Sequence, residues 1–429
     1  MAEFIEVRGG ERLVGEVTVG GAKNAVLPLL LASLLTEERC SFSNVPALYD
    51  VGLSCQLLQY FGGQVDRRES EIDISVPQLS AEEASYSLVK SMRASFWILA
   101  PLLARGRAAR VALPGGDVIG PRPVDIHLAG LESMGATISV KHGVVYATAV
   151  EGLSPTDFTL RFPSVGATHQ LLLAAARTAG TSVFRGVARE PEVVALAEML
   201  SQMGAVIEGA GTDTIQVTGR AELRGATVRV IGDRIEAGTY LLAAALTRGS
   251  VRVNGVNPEH LAGFLPILET MGAEVRCYPD AVSVTVNQRL RPVSVKTGPF
   301  PEFATDLQPL LMSVLTLADG VSTVEEGIYE ARFRHAAELN RMGAQITVVD
   351  RVATISGVES LSAAPVEAHD IRAGAGLVIA AMAAHGVSQI HEPQHLRRGY
   401  ENLEQKFRSI GGRIGSKISD PEDYMFTGC

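Results

Sequence analysis

The stretch LPGGDVIGPRPVDIH, residues 113–127, sets three glycines, three prolines and Arg122 around the acid Asp117. A second set of chemistry-bearing residues stands just ahead of apolar, helix-like stretches. These are Lys23-Asn24, Arg93, Ser164, Asp233-Arg234 with Glu236, Asp306, and Asp370 with Arg372. Aspartate and serine suit a helix start as caps of free backbone N–H groups. Lysine and arginine do not, because a cation there opposes the helix macrodipole. Lys23, Arg93, Arg234 and Arg372 make sense if an anion bridges them to the helix ends, and phosphate groups are the natural guests.

Common phosphate and metal motifs do not replace that reading. The sequence has no G-x-x-x-x-G-K-[ST], and EGAGTDT and RAGAGL both fail G-x-G-x-x-G. HEPQH (391–395) satisfies H-E-x-x-H, but that motif needs one helix carrying both imidazoles, and Pro393 interrupts it. The match is therefore read as a coincidence and not as a metal site.

The elements that position these residues repeat. Six times a helix-like stretch ends in Gly-Gly or Gly-Ala and runs into a β-prone segment: LLQYFGGQV, LESMGATIS, LSQMGAVIE, LETMGAEVR, LNRMGAQIT and KFRSIGGRI. Their first glycines, Gly62, Gly135, Gly204, Gly272, Gly343 and Gly411, recur about every 70 residues. Each suits a helix C-cap. Every unit holds a second helix, apolar nearly all round and so expected to be buried: NAVLPLLLASLL, ASFWILAPLLARG, ATHQLLLAAARTAG, AGTYLLAAALTRG, DLQPLLMSVLTLADG and AGAGLVIAAMAAHG. Short β-branched runs such as TSVFRGV follow them. Six units of strands plus two helices predict an α/β protein of two pseudo-threefold domains.

The 429 residues, 46% hydrophobic and 20% charged, describe a folded globular chain. The start lacks the basic and apolar regions of a signal peptide. The longest apolar run, AVLPLLLASLL, is about half the ~20 residues of a membrane span. Cys40, Cys55, Cys277 and Cys429 show no metal or disulfide spacing, as suits a reducing compartment. A cytoplasmic location is expected. A net charge of −9 argues against a broad nucleic-acid surface, so any anion site must be a local pocket.

Several stretches, in order, resemble one family: GGAKNAVLPLLLASLL, VKSMRASFW, LPGGDVIGPRPVDIHLAGLESMGA, SVGAT, AREPEVV, DRIEAGTYLLAAA, FATDLQP, YEARFRHAAELNRMGA and RRGYENLE. The family is UDP-N-acetylglucosamine 1-carboxyvinyltransferase, which opens peptidoglycan synthesis and so serves cell shape and division. The resemblance implies an inside-out α/β barrel of two domains, 1–22 plus 232–429 and 23–231, with the active site in the cleft between them. It implies transfer of the enolpyruvyl group of phosphoenolpyruvate to the 3′-hydroxyl of UDP-N-acetylglucosamine, with release of phosphate and without a cofactor. By the same resemblance, Lys23 and Asn24 meet phosphoenolpyruvate, and Arg122, Arg332 and Arg398 clamp its phosphate and carboxylate. Arg93, Arg122, Pro123, Val124, Asp125 and Ile126 contact the uridine nucleotide, Ser164 and Val165 form the diphosphate turn, and Asp306 and Ile328 hold the sugar.

A donor carrying phosphate and carboxylate calls for arginine forks and a lysine. Addition then elimination calls for an acid and a base facing each other across the substrate. Asp306 is the expected base and Asp117 the expected acid, on a lid loop (112–123) whose glycines supply hinges and whose prolines limit the open ensemble. Most members of the family carry cysteine where this chain has Asp117, which predicts insensitivity to the thiol-alkylating inhibitor fosfomycin. Phe162 stands where a lysine is common. Trp97, the only tryptophan, is expected in the core. Two other readings are enolpyruvylshikimate phosphate synthase, whose glycine-rich first loop differs from GGAKNAVLP, and a non-catalytic UDP-sugar-binding paralogue, which only the lost cysteine favours. A nucleic-acid clamp would need a basic stripe that the sequence does not show.

Overall fold

The structure, a computed structural model, describes residues 3–84, 86–90, 92–115, 119 and 123–418. The six repeated glycines all stand in left-handed backbone, with φ of 94°, 91°, 113°, 100°, 93° and 94° from Gly62 to Gly411. A side chain would be strained there, so glycine ends each helix without cost. The chain then enters a strand: Gln64–Arg68, Thr137–Lys141, Val206–Glu208, Glu274–Tyr278, Gln345–Val349 and Arg413–Ile418.

Among the described residues these strands belong to six four-stranded sheets of one pattern. Asp157–Thr159, for instance, runs parallel to Gly180–Arg185. That strand pairs antiparallel with Thr214–Gly219, which pairs antiparallel with Val206–Glu208. Phe184 faces Ile215 in this register, and both are fully buried. The repeats interlock rather than follow each other. Glu3–Arg8 lies between Val387–His391 and Arg413–Ile418, so the N-terminal strand completes the last repeat. Val14–Thr18 joins Ser250–Asn254, and Thr227–Arg229 joins Cys40–Ser43.

The chain divides into two compact units. Among the described residues, one comprises 3–20, 119 and 232–418; the other comprises 21–84, 86–90, 92–115 and 123–231. Each has its own apolar core. In the first, the helices Arg234–Leu246, Gln308–Leu315 and Ile371–Ala383 pack on one another, and every residue of Arg234–Leu246 is buried. Leucine and isoleucine side chains on such helices each contribute roughly 1.5–3 kcal/mol by leaving water. In the second unit Lys23–Ala32 and Val165–Ala176 are buried from Ala25 and Ala167 onward, while their first two residues are half-buried.

ASFWILAPLLARG departs from the expected single helix. It winds as a 3₁₀ turn, Arg93–Ile98, a short α segment, Leu99–Pro101, and a π turn, Leu102–Gly106. Pro101 explains the break, since it has no N–H for the carbonyl one turn earlier and the hydrogen-bond register must change around it. HEPQH is split as well: His391 ends a strand, Glu392 is left-handed, and the next helix, Gln394–Arg397, starts beyond Pro393. Its two histidines therefore do not share a helix face. No helix among the described residues is long and apolar enough to cross a membrane.

Candidate functional site

In the first unit three helix starts bring their charges together. Asp233 caps its helix by accepting from the Ile235 and Glu236 amides, and Asp370 caps its own by accepting from those of Arg372 and Ala373. Both therefore cap through Oδ1. Asp306 does not: it lies in the turn Thr305–Leu307, where no side chain caps the helix. Its Oδ1 is 2.9 Å from a terminal nitrogen of Arg332, and its Oδ2 accepts from Arg372 Nε at 3.3 Å. Both arginines are nearly buried, yet a quarter of the Asp306 side chain stays exposed. A carboxylate held by two buried guanidinium groups but still open to solvent suits contact with a ligand hydroxyl.

The arginines are fixed in turn. Arg332 donates to Thr305 Oγ1 at 2.9 Å and lies 5.5 Å from the Tyr329 ring, while Arg372 lies 5.3 Å from the ring of Tyr400. Tyr400 meets the Thr239 hydroxyl at 2.9 Å. Burial weakens the hold of both guanidinium groups on their protons, but nearby acidic groups outweigh it and both are held above their usual range. For Arg332 these are Asp306 and Asp370, and for Arg372 they are Tyr400, Asp306 and Asp233. Among the described residues, Arg332 Nε and Arg372 Nη1 are buried without a hydrogen-bond partner. Ile328 sits just after the strand Val321–Glu325, its amide donating to Glu326 Oε1 at 2.8 Å. Arg398 follows the helix Gln394–Arg397, and its amide donates to the His395 carbonyl.

In the second unit Lys23 opens its helix, followed by Asn24, and pairs with the buried Asp50 at 3.1 Å. Arg93 starts the broken helix and donates to the Pro123 carbonyl at 3.1 Å. Val124 precedes the helix Asp125–Ser133, with Ile126 in its first turn and Asp125 paired to Arg161. Ser164 caps the helix that starts at Val165, accepting from the Ala167 amide at 3.3 Å. These last two helices meet at Gly166, where a Cβ would lie 3.0 Å from His127 Cε1 and 3.4 Å from Trp97 Nε1. Burial, with Arg93 adding to it, pushes the His127 imidazole down to about 3. Burial takes His169, edge-on to Trp97, down to about 4. The structure thus groups Arg93 with Pro123, and Asp125 with Arg161, three residues ahead of Ser164. Phe162 is exposed.

Asp117 and Arg122 lie outside the described residues. Of the loop 112–123, Ile119 is buried, and its carbonyl accepts from the Ala331 amide at 3.3 Å within the first unit. Asp50, Thr305, Glu326 and the pairing of Arg372 with Asp306 were not identified from sequence. For Arg372 the helix-start cation was a usable signal; the others look like ordinary acids and hydroxyls until the fold brings them in. Among the described residues no group of three or more histidine, cysteine or acidic side chains is placed to hold a metal ion.

The family model of EPSP synthase (3-phosphoshikimate 1-carboxyvinyltransferase) matches residues 7–407. The chain is 45% identical over 415 residues to a UDP-N-acetylglucosamine 1-carboxyvinyltransferase of Trichlorobacter lovleyi, covering 97% of this chain and 99% of that protein. It is also 45% identical to UDP-N-acetylglucosamine 1-carboxyvinyltransferase 2 of Carboxydothermus hydrogenoformans, covering 98% and 100%. The crystal structure of the enolpyruvyl transferase NikO from Streptomyces tendae superposes with a TM-score of 0.88 at 25% identity, covering 98% of this chain and all of that one.

Proposed function

The chain belongs to the enolpyruvyl transferase family, among its UDP-N-acetylglucosamine 1-carboxyvinyltransferases, and from that premise we propose how it moves an enolpyruvyl group from phosphoenolpyruvate to UDP-N-acetylglucosamine. The observation that carries the assignment is likeness at 45% identity over nearly the whole length of proteins bearing that activity's name. The geometry around Asp306 supplies a chemical rationale, since two buried arginines hold its carboxylate clear of capping duty and partly open to solvent.

In the reaction we propose, Asp117 protonates the methylene carbon of phosphoenolpyruvate. The 3′-hydroxyl of the sugar attacks the adjacent carbon and gives up its proton to Asp306. The Asp117 carboxylate takes a proton back from the new methyl group as phosphate departs, which restores the vinyl double bond. Lys23, Asn24, Arg122, Arg332 and Arg398 receive the phosphate and carboxylate. The Arg332 Nε and Arg372 Nη1 donors are free to meet an acceptor, which a substrate oxygen or water can supply. Arg93, the 122–126 segment and the Ser164-Val165 turn take the nucleotide, the turn offering a helix N-terminus to the diphosphate. Asp306 and Ile328 hold the sugar. A closing lid at 112–123 and a cytoplasmic setting belong to the same proposal.

Phosphate release from phosphoenolpyruvate by the purified protein, with and without UDP-N-acetylglucosamine, tests it. Release that depends on the sugar nucleotide is expected. Nucleotide binding without release at any pH would leave a non-catalytic UDP-sugar-binding protein.

A further inference from the structure

Glu326 follows the strand Val321–Glu325 and is completely buried, yet it forms none of the ion pairs found among the described residues. Four donors converge on its carboxylate instead. Oε1 accepts from Thr297 Oγ1 at 2.7 Å and from the amides of Ile328 at 2.8 Å and Tyr329 at 3.1 Å. Oε2 accepts from Thr305 Oγ1 at 2.9 Å, and the same Thr305 oxygen accepts from Arg332 at 2.9 Å. A relay therefore runs from the Arg332 guanidinium through the Thr305 hydroxyl to Glu326. Two of its three members adjoin Asp306, which neighbours Thr305 in the chain and pairs with Arg332 in space.

We propose that Glu326 is a positioning residue for the transfer: one buried carboxylate fixes the Thr305-Asp306 turn, the Ile328 backbone and the Arg332 guanidinium against one another. Charged acceptors form stronger and shorter hydrogen bonds than neutral ones, so a carboxylate orients four donors more firmly than an amide would. A core glutamate kept only for stability would need satisfied oxygens. It would not need one of its partners to be Thr305, the chain neighbour of Asp306 whose hydroxyl also accepts from Arg332. The inference rests on the reading above that Asp306 faces the reacting hydroxyl.

Glu326→Gln preserves volume and tests this directly. Three donors at Oε1 keep the amide oxygen there, so the new NH2 group faces Thr305 and turns its hydroxyl out of the relay. We expect kcat to fall at least about tenfold, within the ~10²-fold that a 1 Å misplacement costs, with a smaller rise in KM for phosphoenolpyruvate, whose anions Arg332 receives, and the melting temperature nearly retained. Thr305→Val removes the relay hydroxyl alone and should reproduce the loss, and the double variant should lose no more than either single one. A lower melting temperature with kcat unaltered in both variants, or losses that multiply in the double variant, would overturn the proposal. If Glu326→Gln does not fold, Thr305→Val decides by its kcat alone. If the wild-type protein releases no phosphate, the functional reading fails separately. Crystal structures then decide the positioning role: Arg332 leaving Asp306 in Glu326→Gln is expected, and an unmoved pair overturns it.

Discussion

Asp117 and the cysteine it replaces differ as proton donors. A thiol near its reference value of ~8.5 is protonated at neutral pH, whereas an aspartate near ~3.9 is almost wholly ionised. Asp117 can act as the acid only if closure over phosphoenolpyruvate raises its affinity for a proton, through lost water and the nearby phosphate, against the pull of Arg122. Activity should therefore peak at lower pH than in cysteine-bearing relatives. A phosphate-release profile flat from about pH 5 to 9 would remove Asp117 from that role. Fosfomycin should leave the wild-type enzyme active after prolonged incubation, and Asp117→Cys should introduce time-dependent inactivation together with a higher pH optimum. Asp306→Asn keeps the shape but not the charge, and should lower kcat by ~10²–10⁴-fold if the carboxylate receives the hydroxyl proton. The candidates Lys23 and Asp306 could be singled out from sequence for different reasons: a cation at a helix start opposes the macrodipole, whereas Asp306 stood out only through the motif FATDLQP. Their supports could not be singled out. Asp50 reaches Lys23, and Arg372 reaches Asp306, from distant points of the chain, and only the fold makes them neighbours.

The elements were read through two signals of different strength. A glycine required by left-handed backbone leaves a sharp mark, which is why all six helix ends were placed from sequence. Burial on all sides marks an inner helix but not its winding, so the 3₁₀, α and π segments around Pro101 could not be foreseen from apolarity. Interlocking was equally hidden, because strand pairing between Glu3–Arg8 and Arg413–Ile418 depends on the chain's return and not on either segment's pattern. The junction of the Asp125 and Val165 helices offers a test at this scale. Gly166→Ala would put a methyl group 3.0 Å from His127 Cε1, so the buried ring must shift by a few tenths of an ångström. That shift should raise KM for UDP-N-acetylglucosamine and leave KM for phosphoenolpyruvate nearly unchanged, as steady-state kinetics with each substrate varied in turn would show. Equal increases in both would mean that the helix junction does not belong to the nucleotide site.

Over the whole molecule, buried histidines link stability to pH. His127 and His169 in one unit sit at about 3 and about 4, and His335 in the other at about 3, all lowered first by burial from the ordinary 6.5. Between those values the unfolded chain binds protons that the folded chain refuses. Acid therefore favours unfolding, and stability rises with pH through this window. Each such group contributes up to ~1.4 kcal/mol per pH unit once the unfolded imidazole is protonated. Because both cores contain one, neither unit escapes the effect. The melting temperature should hold near pH 7 to 8 and fall steadily from about pH 6.5 toward 4. His335→Gln, which cannot be protonated there, should flatten the slope even if it lowers stability at neutral pH. Enzyme activity favoured by acid through Asp117 would then be bounded below by unfolding. Thermal melts across this range, recorded beside the rate profile, separate the two: a reversible change in rate at constant melting temperature belongs to the reaction, and a falling melting temperature to the histidines. A melting temperature constant from pH 7 to 5 would mean that these imidazoles reach water far more easily than their packing implies.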